Sequence, residues 1–167
     1  MSLIRHFWGY NGMKKMIDKN SSIGIAGEFF VAAELTRRGY VASLTSKNTK
    51  AIDILASNKD GSKSVAIQVK TCDNRKIDKW MMTENSEKVF SDNLFYVFVN
   101  MNEGEMPSYY IVPSTFVAHK LMADYELWLK TPGLKGQHHN PTTMRTFTFA
   151  DNNQRLSHQN AWHLLGL

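Results

Sequence analysis

The sequence predicts a one-domain α/β protein in which a mixed β-sheet is flanked by helices. Three observations carry this expectation. Helical and strand patterns follow one another in the order helix, strand, hairpin, helix, strand, strand, helix, which is the signature of a layered α/β structure. Two apolar, β-prone runs, Ala51 to Ala56 and Ser64 to Thr71, flank a turn cluster containing Asp60-Gly61, which predicts a β-hairpin. The run Leu94 to Asn100 (Leu-Phe-Tyr-Val-Phe-Val-Asn) is the most hydrophobic stretch and predicts a buried central strand. A chain of 167 residues, 43% hydrophobic and 21% charged, is long enough for one real core.

Taken in order, residues 1–20 are aromatic at Phe7, Trp8 and Tyr10 and then basic, and are expected to form an arm or short helix ahead of a domain spanning 21–167. Ser21-Ser22 offers an N-cap, and Ile23 to Arg38 reads as a helix stopped by Gly39. Tyr40 to Thr45 is a short strand, and the hairpin follows. A polar loop over 73–79 leads to a strand over 80–83 and a short helix or turn over 84–92. After the central strand, Asn102 to Ser108 turns the chain into a strand over 109–112, stopped by Pro113. Ser114 is expected to cap a helix reaching Lys130, with Leu121, Tyr125, Trp128 and Leu129 as its apolar stripe. A long loop over 131–143, a strand over 146–149 and a short helix over 162–165 complete the chain. The aromatic residues Phe95, Tyr96, Phe98, Tyr109, Tyr110 and Trp128 fall on strand or helix periods and read as core.

The net charge of +5 leans toward a polyanionic partner, and its placement is informative. Lys14, Lys15, Lys19, Arg37, Arg38, Lys47 and Lys50 all lie in the first third of the chain. Arg37, Arg38, Ser46, Lys47 and Lys50, close before the hairpin, are the candidate contacts to a phosphate backbone. A single cysteine, Cys72, excludes an internal disulfide framework and a cysteine-rich zinc site. No stretch approaches transmembrane length and no secretory pattern opens the chain, so a cytoplasmic location is expected.

Chemistry concentrates around the hairpin. Along its second strand side chains alternate, so Gln68 and Lys70 share one face while Ile67 and Val69 share the other. The first hairpin strand brings Asp53 to them. A buried charge costs several kcal/mol unless it is paired or binds a metal. A solvated edge strand is the plain alternative. On the first helix Glu28 falls beside Ile25, Ala32 and Leu35, close to the apolar stripe, whereas Glu34 lies on a polar side with Arg38 at i+4 as a surface pair.

The segments Gly27-Glu28 on a helix ending in Arg-Gly-Tyr, Ala51-Ile52-Asp53-Ile54-Leu55-Ala56, and Ile67-Gln68-Val69-Lys70-Thr71 together resemble the PD-(D/E)XK nuclease superfamily. The resemblance extends through Trp80, the strand at Phe95 to Val99 and Tyr109 to Pro113, and covers roughly 21–120. It departs at two points: Ile52 stands where proline is common before the aspartate, and Gln68 stands where the motif has an acid. The resemblance implies a restriction-endonuclease-like fold and an endonuclease hydrolysing DNA phosphodiester bonds with Mg²⁺, for which Mn²⁺ can substitute. It implies Asp53, Gln68 and the Val69 carbonyl as metal ligands, Glu28 holding a metal-bound water or a second metal, and Lys70 orienting the attacking water. The Gln68 substitution removes one negative charge and keeps open an alternative: a nucleic-acid-binding or protein-interaction module on the same fold. Duplex cleavage needs two sites, hence a homodimer. The His138-His139-Asn140 run, with Asn153 and His163 downstream, lacks a framing hairpin and reads as loop rather than as a His-Asn-His metal finger.

Overall fold

In the computed structural model residues 19–46, 51–73, 78–102 and 105–167 are described, the side chains of 19–21 excepted. Helix α1 runs Lys19–Arg37. It begins earlier than expected and takes Ser21 and Ser22 into its first turns, so neither is the cap. Its end is as the sequence reads: Gly39, at φ +88°, lets its own N–H reach Thr36 O and lets Tyr40 N–H reach Leu35 O, closing the last turn with two bonds. Most of the expected arm, residues 1–18, lies outside the described residues.

Among the described residues seven strands follow in chain order: β1 (Val41–Leu44), β2 (Ile54–Ser57), β3 (Ser64–Cys72), β4 (Trp80–Thr83), β5 (Leu94–Asn100), β6 (Ser108–Pro113) and β7 (Met144–Phe147). Five make one sheet in the order β1-β2-β3-β5-β6, antiparallel except for the parallel pair β3/β5. The hairpin turn forms as its residues dictate. Gly61 takes φ +70°, and the Asn58 and Asp60 side chains accept the N–H groups of Lys63 and Ser62.

A parallel pair needs a crossover. Among the described residues of the crossover, 73–93, there is no α-helix but β4 and a 3-10 turn, Glu84–Glu87. β4 leaves the main sheet and pairs antiparallel with β7 in a separate two-stranded ribbon, a partner the sequence did not indicate. Helix α2 (Ser114–Lys130) follows β6 directly. Its first residue, Ser114, does not cap the helix; its buried hydroxyl donates to Ser91 O and accepts Ser91 N–H, clipping the loop before β5. A third helix, α3 (Asn152–His158), escaped sequence reading; the Asp151 carboxylate caps it by accepting Gln154 N–H at 2.8 Å.

The alternation of the strands divides the core in two. On one face Val65, Ile67, Val69, Val97 and Ile111 pack against Val31 and Leu35 of α1 and against Trp162. On the other, Tyr96, Phe98, Tyr110 and Val112 pack against Trp80, Met82, Phe147 and the α2 residues Val117 and Leu121. Burying each such aliphatic side chain contributes about 1.5–3 kcal/mol. The α2 stripe is buried only as far as Leu121. Trp128 is 37% exposed and stacks on His139 of the following loop at 4.1 Å, so it is not core, and His139 is a packing residue there. The mixed sheet with helices packed on both faces is the layered α/β arrangement expected from the sequence. No helix among the described residues is long and apolar enough to cross a membrane.

Candidate active site

The hairpin arms separate at Asp53. Its N–H donates to Ile67 O at 2.9 Å and its carbonyl accepts Thr45 N–H, and there the described ladder on this side of β3 ends. The next donor on that edge of β3 is Val69 N–H, and it goes not to a neighbouring strand but to Asp53 Oδ2 at 2.7 Å. By strand alternation the Val69 carbonyl faces the same open edge. The carboxylate is thus held at the point where β2 leaves β3.

Two further residues fix this turn, and sequence reading singled out neither. Thr45 donates its hydroxyl to Ile52 O at 2.6 Å, tying the end of β1 to the residue before Asp53. Ala51 adopts φ +65°, a left-handed conformation that costs an alanine roughly 1–2 kcal/mol. Such strain persists only where the surroundings over-determine it. A left-handed alanine carries no sequence signal, because alanine is not selected for that conformation.

Gln68 and Lys70 project from the face opposite α1 and line one open cavity of about 390 Å³ together with Ala51, Tyr96 and Met81. Gln68 stands beside Tyr96 in the β3/β5 register and Lys70 beside Phe98. Burial raises the Asp53 pKa above its ordinary value, against the opposing pull of the Val69 N–H and the Lys70 ammonium. Burial also raises that of Tyr96, against a hydrogen bond from Ser86, and the Asp53 charge adds to the rise. The Asp53 charge thus acts on Lys70 and on Tyr96, both on the Gln68/Lys70 face.

Glu28 comes from the other side. Gly27 is buried against Thr71, whose side chain shares the α1 face with Val69; a Cβ on Gly27 would lie 2.0 Å from Thr71 Oγ1. That close approach sets half-buried Glu28, the next residue, beside the same stretch of β3. Gln68 and Lys70 thus stand on one face of β3, and α1, which carries Glu28, covers the other.

Arg37 and Arg38 are not brought to this corner. They lie about 13 Å further along α1, near the hairpin tip, where a Cβ on Gly39 would meet Lys59. Both pair with Glu34, Arg37 at 3.0 Å, and the Arg38 guanidinium also lies over the Trp162 ring. The Arg37 hydrogen bond, then that of Arg38, holds the Glu34 carboxyl below its ordinary range. The Glu34 side chain is 14% exposed, so this is a partly enclosed cluster rather than the solvated pair expected. Exposed Ser46 follows Thr45 and sits next to the Asp53 turn. Lys47 and Lys50 lie outside the described residues.

The donors at the corner are oxygens: the Asp53 carboxylate, the Gln68 amide and the Val69 carbonyl. Among the described residues only Val69 N–H donates to that carboxylate, and no group of three His, Cys, Asp or Glu side chains is placed to hold a metal. The set suits a hard, largely water-coordinated divalent ion such as Mg²⁺ and is ill matched to zinc.

No protein-family model matches the chain, and no curated protein matches it in sequence. Solved structures that resemble it include two nucleases. The bacterial homing endonuclease I-Ssp6803I aligns over 86% of this chain and 89% of its own, at 14% identity and a TM-score of 0.49. The Holliday junction resolvase Hjc of Archaeoglobus fulgidus aligns over 75% of this chain and 88% of its own, at 12% identity and a TM-score of 0.37. Both superpositions are loose, and the reading of the site rests on its own residues.

Proposed function

We propose that this protein is a metal-dependent endonuclease that hydrolyses DNA phosphodiester bonds at the corner where β2 leaves β3. The observation that carries the reading is the Asp53 carboxylate, half-buried, tied to Val69 N–H and acted on by the charge of Lys70, which with Gln68 lines an open cavity. A carboxylate serving only to satisfy Val69 N–H needs no lysine on the same strand face, open to a cavity. Asp53, the Gln68 amide oxygen and the Val69 carbonyl would hold Mg²⁺, with Glu28 beside them from α1. When bound, the ion neutralises charge on the phosphate and makes a water nucleophilic near neutral pH. Lys70 offsets charge developing on the phosphate and orients the water, and Ser46 meets the backbone at the rim. Two copies are needed to cut both strands of a duplex.

One observation favours a second reading, a nucleic-acid-binding module on the same fold. Gln68 supplies a neutral oxygen where a second acid would tighten the ion, and no three-acid cluster stands at the corner among the described residues. Calorimetric metal titration and plasmid nicking, in Mg²⁺ and in Mn²⁺, separate the two. The enzyme reading expects wild type to nick, Asp53→Ala to lose metal and cleavage, and Lys70→Ala to keep metal while losing most cleavage. Gln68→Glu is expected to tighten the ion. A wild type inactive with either ion, and a Gln68→Glu variant that gains cleavage, would instead establish a binder on a disabled site.

A further inference from the structure

The β4/β7 ribbon is two-faced. Trp80, Met82, Arg145 and Phe147 point into the core, while Met81, Thr83, Met144 and Thr146 point outward in the cross-strand pairs Met81–Thr146 and Thr83–Met144. Its outer face carries no charge. Met81 is 56% and Met144 47% exposed, and two threonine hydroxyls lie diagonally between them, Thr146 Oγ1 reaching Met81 Sδ at 3.9 Å.

The ribbon is continuous with the candidate active site. Met81, Thr83 and Met144 form a wall of the cavity that holds Gln68 and Lys70. Met81 and Lys70 also border a second cleft with Lys79, and Lys79 borders a third cavity with Thr146 and Met144 on the ribbon's far side. A substrate seated over Lys70 therefore lies against this outer face, with the exposed Lys79 at the ribbon's start.

We infer that the outer face of the β4/β7 ribbon is the specificity surface of the nuclease, with Thr83 and Thr146 hydrogen-bonding base edges and Met81 and Met144 contacting thymine methyl groups in the major groove of duplex DNA. The inference rests on the endonuclease reading above. A major groove about 12 Å wide admits a two-stranded ribbon. Base edges present donors, acceptors and methyl groups but no net charge, which is what a face of hydroxyls and thioethers matches. Charge belongs at the flanks, where phosphates run, and Lys70 and Lys79 stand there. The rigidity such a reader needs comes from the inner face, where Phe147 stacks on Phe98 at 4.3 Å and Arg145 pairs with Glu87.

The test is selection from a duplex library with randomised positions, using the full chain with Ca²⁺ in place of Mg²⁺ to slow cleavage. Wild type is expected to enrich a motif. Thr83→Ala and Thr146→Ala are each expected to relax one or two positions of it by about tenfold, while affinity for unselected duplex stays within about threefold. Met81→Ala and Met144→Ala should weaken preference at T·A pairs in the same way. Exposed positions of this kind tolerate substitution, and thermal melts of each variant check that it stays folded. An unchanged motif in all four variants overturns the inference while leaving the nuclease reading intact, as does a wild type that binds duplex but enriches nothing. So does loss of a dimer by Met81→Glu or Met144→Glu in light scattering with the motif unchanged, which makes the patch a subunit contact. A wild type that binds no duplex at all refutes the nuclease reading, and with it this one.

Discussion

Substituting Gly27 by alanine tests whether the close approach of α1 to β3 is what aligns Glu28 with the site. The added Cβ would lie 2.0 Å from Thr71 Oγ1 and 3.1 Å from both Thr71 Cβ and Cγ2. Contact between such atoms is comfortable at about 3.5–4.0 Å, so the overlap with Oγ1 is roughly 1.5 Å. Rotating Thr71 about χ1 moves Oγ1 away but leaves the Cβ–Cβ separation at 3.1 Å, so α1 must lift as well. Overpacking of this kind costs about 1–3 kcal/mol. Alanine's better helix propensity returns at most about 1 kcal/mol. A net loss near 1 kcal/mol is expected in urea melts. Glu28 follows directly on the helix, and a displacement of about 1 Å at a catalytic group lowers turnover on the order of 10²-fold. The second substitution Thr71→Ala removes Oγ1 and Cγ2 and should restore much of both. The assay is plasmid nicking alongside urea denaturation for wild type, both single variants and the double. If Gly27→Ala folds with unchanged stability and full activity, the tight α1–β3 contact does not position Glu28. If activity falls but Thr71→Ala fails to rescue it, the displacement argument is wrong and Gly27 acts otherwise.

Three more outcomes follow from the same geometry. Because burial raises the Asp53 pKa, the native state binds a proton that the unfolded chain releases, so stability falls as pH rises from the ordinary carboxylate range through the raised value. Asp53→Asn, whose amide oxygen still accepts Val69 N–H, should remove that limb and be more stable than wild type at pH 7 while losing cleavage, as urea melts against pH will show; a steeper limb in the variant contradicts the assignment. Ala51→Gly relieves about 1–2 kcal/mol of left-handed strain against about 0.5–1 kcal/mol of added backbone entropy, for a net gain near 0.5 kcal/mol in urea melts. Glu87→Ala strands Arg145, a buried guanidinium that also donates to Thr142 O and Met144 O, and should cost about 3 kcal/mol or more by thermal denaturation.

Some of the site was legible in the residues alone because it depends on local rules. Strand parity places Gln68 and Lys70 on one face whatever surrounds them, and the Asn58–Lys63 turn returns the chain so that Asp53 meets that strand; both hold in the structure. Gly39 ended α1 for an equally local reason, its positive φ. The rest depended on packing between distant segments. Periodicity put Glu28 near the apolar stripe of α1, but that its helix covers the opposite face from Lys70 follows from which strand face holds Val65, Ile67 and Val69 against Val31 and Leu35. Nearness in sequence suggested that Arg37 and Arg38 border the Asp53 corner; a helix rising 1.5 Å per residue carries them instead to the hairpin tip, where Glu34 takes up both. The strand at Trp80 to Thr83 was readable from its pattern, but not its partner β7, more than sixty residues on. Strand pairing over such a separation is decided by whole-core complementarity, here Trp80, Phe98 and Phe147 filling one space. Local alternation determined which residues can do chemistry; the tertiary structure decided what lies beside them, because only the folded core fixes which faces meet.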